Sequence, residues 1–105
     1  IKAAAAEAHL VVTTGGTGLG PRDVTPEATA QVLEREAPGL THMMMARGLG
    51  STVMAGLSRA RAGSIGTTLV INVPGSVSGA VEGVEAVLEV IPHALDLLSG
   101  DTEHR

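Results

Sequence analysis

A chain of 105 residues with 44% hydrophobic positions holds one core of ordinary size and is too short for two domains. Its net charge of −4 and 17% charged residues leave no basic patch for nucleic acid or an anionic membrane, so neither is expected as a partner. The absence of Phe, Tyr, Trp and Cys excludes base-stacking platforms, disulfides, cysteine zinc sites and thiol nucleophiles. The core must therefore come from Val, Leu, Ile, Met and Ala, and a reducing, cytoplasmic setting is the default expectation.

In chain order, the Ala-rich residues 3–8 read as the end of a helix, and Ile1 in place of Met points to a chain that begins inside a larger domain. The run Leu10-Val11-Val12-Thr13-Thr14 fits a fully buried strand of a parallel sheet. Gly15-Gly16-Thr17-Gly18-Leu19-Gly20-Pro21 is a loop at that strand's C-terminal end, because so many glycines and a proline favour turns.

Thr25-Pro26-Glu27 combines a hydroxyl N-cap, a proline at the first helical position and an acid in the first turn. A helix over 26–36 follows, with Ala28, Val32, Leu33 and Ala37 towards the sheet and Pro38-Gly39 as its stop. A further helix over 40–47 carries Leu40, Met43 and Met44 at helical spacing, the three consecutive methionines reading as core or interface filler rather than metal ligands.

Residues 48–68 show no sustained period apart from a short strand expected over 52–55, and Arg59 and Arg61 stand out there. Thr68-Leu69-Val70-Ile71-Asn72-Val73 is the second buried strand and runs into the turn Pro74-Gly75-Ser76. The next helix places Val77, Val81, Val84, Leu88 and Ile91 at steps of four and three, a stripe expected to face the sheet. Pro92 begins a fresh helical segment carrying Ala94, Leu95 and Leu98, and 101–105 reads as a frayed tail. Strands alternating with helices give a three-layer α/β/α domain with a mostly parallel sheet, both glycine turns lying on one edge.

The first glycine turn is neither of the common phosphate loops. A Walker loop needs Lys and Ser or Thr after Gly20, where Pro21 and Arg22 stand, and a Rossmann fingerprint beginning at Gly16 needs glycine at Pro21. What remains is an anion-binding concavity of backbone N–H groups with Thr14 and Thr17 hydroxyls, or simply a tight strand-to-helix connection. Asp23 has two readings as well, a carboxylate for Mg²⁺ on a nucleotide or a cap for backbone N–H groups. Pro74-Gly75-Ser76 repeats the anion-site logic at a helix start, suggesting two anchors for one elongated ligand. His9, His42, His93 and His104 show no metal-site spacing and read as structural or surface residues.

The string Thr13-Thr14-Gly15-Gly16-Thr17-Gly18, continued by Pro21-Arg22-Asp23-Val24-Thr25-Pro26-Glu27-Ala28-Thr29, resembles the signature of the MogA, MoaB and gephyrin G domains. Pro38-Gly39, Leu57-Ser58-Arg59 with Gly63, Leu69 to Ser76 and Pro92-His93-Ala94-Leu95 agree in order and spacing. The resemblance implies an α/β, often trimeric protein that binds the dithiolene pterin molybdopterin. In catalytic members it also implies transfer of AMP to that pterin from Mg-ATP, for later molybdate insertion by a MoeA-type protein.

Carried over by residue, it implies that Thr14, Gly15, Gly16, Thr17 and Gly18 line the pocket, that Asp23 is the acid for Mg²⁺-dependent chemistry, and that Asn72, Pro74, Gly75, Ser76 and Ser58 complete the cleft. Ser76-Val77 replaces the family's usual Ser-Pro, which leaves a backbone site intact. Family members begin with a further strand, helix and loop bearing another active-site acid, so the chain is expected to be N-terminally truncated. The alternative function is a MoaB-type protein that holds molybdopterin or its precursor without adenylyl transfer.

Overall fold

The computed structural model describes residues 1–100, and the expectations for the 101–105 tail and for His104 lie outside them. In order come helix α1 (Lys2–Ala5), strand β1 (Leu10–Thr14), helix α2 (Thr25–Val32), strand β2 (Arg35–Glu36), helix α3 (Pro38–Leu49), a 3-10 turn (Val53–Leu57), strands β3 (Ala62–Ile65) and β4 (Thr68–Val73), and helices α4 (Val77–Val87) and α5 (Ile91–Leu98). The sheet order is β1-β4-β3-β2. It is a mixed sheet: β1 runs parallel to β4, from Leu10 opposite Leu69 to Thr14 opposite Val73, and the other two pairs are antiparallel.

Alternation along β4 creates the three layers. Leu69, Ile71 and Val73 are buried in the main core with Ala62, Val87 and Ile91, and α3 adds Leu40 and Met44. On the opposite face Thr68 donates to the carbonyls of Ala5 and Ala8 beside α1, and Asn72 donates to Thr29 of α2. All six residues of β4 are buried, as its unbroken apolar run predicts. Strand β1 is less covered than expected, because it lies at the sheet edge, where Val12 and Thr14 are exposed.

Several local expectations yield to tertiary pairing. The helix predicted over 26–36 ends at Val32, and Leu33 turns extended so that Arg35 and Glu36 pair with Ser64 and Gly63 of β3. Pro38-Gly39 opens α3 rather than closing α2, since a proline in the first turn forfeits no helical hydrogen bond. The N-cap position of α2 is Val24 and makes no side-chain cap bond. Residues 52–55 do not form a strand: Thr52 caps the 3-10 turn by accepting from Met54 N–H at 3.2 Å.

Strand β3 has no β-rich composition to announce it. A two-residue hairpin places it beside β4, with Gly66 at φ +57° as the first central residue. Gly63 is required there, because a Cβ at that position would lie 2.1 Å from the Arg35 carbonyl oxygen.

The apolar stripe expected on α4 is also displaced. Of the expected residues Val84 packs on the core and Ile91 is buried, but Val77 is 82% exposed and Val81 and Leu88 also face solvent, while Gly83, Val87 and Ala80 take the inward positions. Apolar and small residues cover more than half the circumference of this helix, opposite Ser78, Glu82 and Glu85, so side-chain size selects the inward face. A Cβ on Gly83 would stand 3.2 Å from Val73 Cγ1, so only a small residue permits this approach to the sheet. Among the described residues no helix is long and apolar enough to cross a membrane.

Candidate functional site

Because β1 and β4 are parallel, both glycine turns leave the sheet at the same edge. Gly15 N–H donates to the Val73 carbonyl at 3.0 Å, and a Cβ on Gly75 would meet Gly15 Cα at 3.2 Å, so the two turns touch through their backbones. Gly15 and Gly16 adopt φ of +87° and +70°, the left-handed region that favours glycine.

Arg59, just beyond the 3-10 turn, clamps the first glycine loop. Its N–H donates to Thr17 O at 2.7 Å, its Nε to Gly18 O at 2.7 Å, and its Nη2 to Asp23 O at 2.6 Å. Nη1 pairs with Glu27 of α2 at 2.5 Å, so one guanidinium ties the loop to the helix that follows it. Arg61 similarly pairs with Glu36 of β2. The two arginines that stood out in an aperiodic segment therefore brace the structure, their donors directed at protein oxygens.

The Arg59 hydrogen bond, reinforced by its charge, holds the Glu27 carboxyl below its ordinary value of 4.5. A carboxyl depressed on folding contributes stability fully above its unfolded value, and that contribution disappears as pH falls through the lower folded value. Stability measured by urea unfolding should therefore fall in the acid window below pH 4.5, and Glu27→Gln should flatten that slope. An equally steep slope in the variant would refute the assignment.

A cavity of about 320 Å³ opens beside these turns. Its wall combines Thr17 and Gly18 from the first turn, Pro74 and Ser76 from the second, Ser58, and the start of α4 at Ser78 and Gly79. Met44, Met45, Met54, Ala55 and Leu57 give it an apolar side. The structure thus gathers Thr17, Gly18, Ser58, Asn72, Pro74 and Ser76 of the predicted site residues around one cavity, while Thr14, Gly15, Gly16, Gly75 and Asp23 lie outside its lining.

Three predicted residues have their polar atoms engaged within the fold. Asn72 is fully buried: Oδ1 accepts from Arg61 N–H at 3.0 Å, and Nδ2 donates to Thr13 Oγ1 at 2.8 Å and Thr29 Oγ1 at 3.0 Å. It borders the cavity but has no free amide hydrogen to offer. Ser76 caps α4, its Oγ accepting from Gly79 N–H at 3.2 Å. Asp23 closes the glycine loop, Oδ2 accepting from Gly20 N–H at 3.0 Å, which is the capping role that its position allowed.

Missing from the sequence-based site are Thr41, Met44 and Met45 of α3, the 3-10 turn, and Glu82 of α4. The methionine run was a visible signal read only as packing. Glu82 carries no motif or spacing that marks it in the sequence. Among the described residues no cluster of three His, Cys, Asp or Glu can hold a metal on protein ligands alone.

Comparison with known proteins agrees with this geometry. Residues 1–93 match the family described as "Probable molybdopterin binding domain". A molybdopterin adenylyltransferase of Helicobacter pylori is 43% identical over 95 residues, covering 90% of this chain and 54% of the relative. The crystal structure of the molybdopterin biosynthesis enzyme MoaB from Thermus thermophilus superposes with a TM-score of 0.84 at 55% identity, over 93% of this chain and 62% of that one. The Mog protein of Mycobacterium ulcerans gives 0.89 at 40% identity, over 94% and 65%. The chain thus spans about half the length of the H. pylori enzyme and under two thirds of either solved structure. On this match and on the paired glycine turns, the chain belongs to the MogA, MoaB and gephyrin G family of molybdopterin-binding domains.

Proposed function

We propose that the chain acts in molybdenum cofactor biosynthesis by binding molybdopterin and adenylylating it with Mg-ATP. The observation that supports this most directly is the cavity between two touching glycine turns at one sheet edge, with the first turn of α4 in its wall. Backbone N–H groups at the α4 start and the hydroxyls of Thr17, Ser58 and Ser78 are suited to phosphate oxygens, while the methionine and leucine side suits a flat ring. Gly15 and Gly75 brace that surface where their backbones touch.

In the reaction a terminal phosphate oxygen of the pterin bonds to the α-phosphorus of ATP and the bond to pyrophosphate breaks. The protein supplies alignment and charge stabilisation, and no protein nucleophile is needed. Mg²⁺ would neutralise phosphate charge, and it is commonly held by one or two carboxylates together with substrate phosphates. Asp23 fits that requirement, since only Oδ2 accepts from Gly20 and the side chain is half-exposed at the loop. Our reading includes a homotrimer in the cytoplasm that passes its product to a MoeA-type insertion protein. Exposed Val53, Val77 and Val81 provide apolar surface for such assembly.

A MoaB-type binding function without transfer is the second reading. It is favoured by the lack of any Lys or Arg among the described residues of the cavity lining, which offer a triphosphate no cationic side chain.

The test is incubation of the chain with molybdopterin and Mg-ATP, following pyrophosphate and AMP–molybdopterin, beside calorimetric titration with each ligand. Adenylyl transfer is expected, with Asp23→Asn slowing it about a hundredfold while pterin affinity is retained. Pterin binding without product would install the second reading, and no pterin binding would sink both.

A further inference from the structure

We infer that Glu82 is the specificity residue that reads the 2-amino-4-oxo edge of the pterin, so that the pterin ring lies at the methionine end of the cavity. This rests on the cavity being a pterin site, as proposed above.

Among the described residues, Glu82 is the only ionisable one lining the cavity. It projects from α4 and is partly buried. Ser51, just past α3, donates to Oε2 at 2.6 Å and fixes the carboxylate at the rim. Arg47, Arg59 and Arg61 pair with Glu85, Glu27 and Glu36, and Glu82 has no cationic partner among the described residues. Oε1 has no protein donor among them either.

A partly desolvated carboxylate facing an otherwise uncharged cavity calls for hydrogen-bond donors from its ligand. The pterin edge provides two, the ring N3–H and the adjacent 2-amino group, spaced to meet both oxygens of one carboxylate. Adenine presents a donor beside an acceptor on its corresponding edge, and its N1 lone pair opposes a carboxylate. Glu82 therefore discriminates between the two halves of the reaction by hydrogen-bond polarity. Met44, Met45, Met54 and Leu57 supply polarisable apolar contacts for the ring faces in a chain that has no aromatic residue to stack.

The helix sets the spacing. Glu82 lies six residues beyond the cap Ser76, roughly 9 Å along the axis of α4 at about 1.5 Å per residue. A bicyclic ring held at Glu82 thus extends its phosphate-bearing substituent towards the helix start and the glycine turns. The binding orientation follows: ring outward at the α3 and α4 rim, phosphate inward at the sheet edge.

Pterin fluorescence gives a direct assay, since the chain contains no Trp, Tyr or Phe to contribute background. The full chain would be titrated with pterin and with lumazine, which carries a 2-oxo group in place of the amine. Wild type should prefer pterin by about five- to a hundredfold, the range of one good bidentate pair. Glu82→Gln should remove most of that preference by weakening pterin alone, and Ser51→Ala should reduce it in part with the carboxylate still present.

Equal affinities for the two rings in wild type, or full discrimination retained by Glu82→Gln, would overturn the inference while leaving a pterin site in place. Failure of wild type to bind either ring would overturn the pterin reading itself. Guanosine, which shares the edge on a different frame, is expected to bind more weakly than pterin; tighter binding would assign the cavity to a guanine nucleotide instead. The comparison of rings in wild type stands even if a variant fails to fold.

Discussion

Asn72→Ala is expected to lower the unfolding free energy by about 3–5 kcal/mol, because it breaks a fully buried hydrogen-bond network and leaves a cavity. The side chain of Asn72 joins four segments: its own strand β4, Thr13 of β1, Thr29 of α2 and the Arg61 amide preceding β3. Alanine leaves the Arg61 N–H without its acceptor and strips Thr13 and Thr29 of a shared donor. Leucine would restore volume but not the acceptor, so Asn72→Leu should remain well below wild type. Aspartate would retain the acceptor but place an acid opposite two hydroxyls in a fully buried site. Thr29→Val, removing one partner, should cost only about 1 kcal/mol. Urea unfolding of the series measures these differences; Asn72→Ala within about 1 kcal/mol of wild type would show that the network contributes little.

Gly16→Ala is expected to cost about 2–4 kcal/mol and to abolish tight ligand binding at the glycine turns, for two separable reasons. The φ of +70° strains any L side chain, and the new Cβ would lie 2.3 Å from Thr25 Oγ1. Relief requires Thr25 to turn its hydroxyl away at the start of α2, beside its N–H bond to the Gly16 carbonyl. In a double-mutant cycle, Thr25→Gly should recover the clash component and leave the backbone strain. Gly39→Ala is the control, since nothing lies within 4 Å of its added Cβ and its φ is ordinary. If Gly16→Ala retains wild-type stability and affinity, the turn does not depend on its left-handed conformation.

Both substitutions act where the candidate site is built. Asn72 was read as a cleft residue, and the structure makes it a brace whose loss would propagate to β1, α2 and the arginine segment together. Asp23 was legible as either metal ligand or loop cap, and the capping bond to Gly20 leaves its other oxygen for the role proposed here. Glu82 could not be found from the sequence, because the rim it shares with Ser51 exists only in the tertiary structure. Apolar periodicity alone favoured Val77, Val81 and Leu88, and it carries no information about how closely the helix can approach the sheet.

By itself the sequence determined the α/β class, the two strands ending in glycine turns, the shared edge of those turns and the family. These features are local or depend on residues with few conformational alternatives: β-branched runs form strands, and positive φ selects glycine. Tertiary structure alone decided the short strand β2, the Ala-Gly-Ser strand β3, the role of Pro38 as a helix start and the inward face of α4. In each of these, local preference is weak and a distant partner makes the difference. An open strand edge pulls Arg35 and Glu36 out of a helix, and the close approach of Gly83 to Val73 seats α4 against the sheet, with Glu82 in the cavity wall.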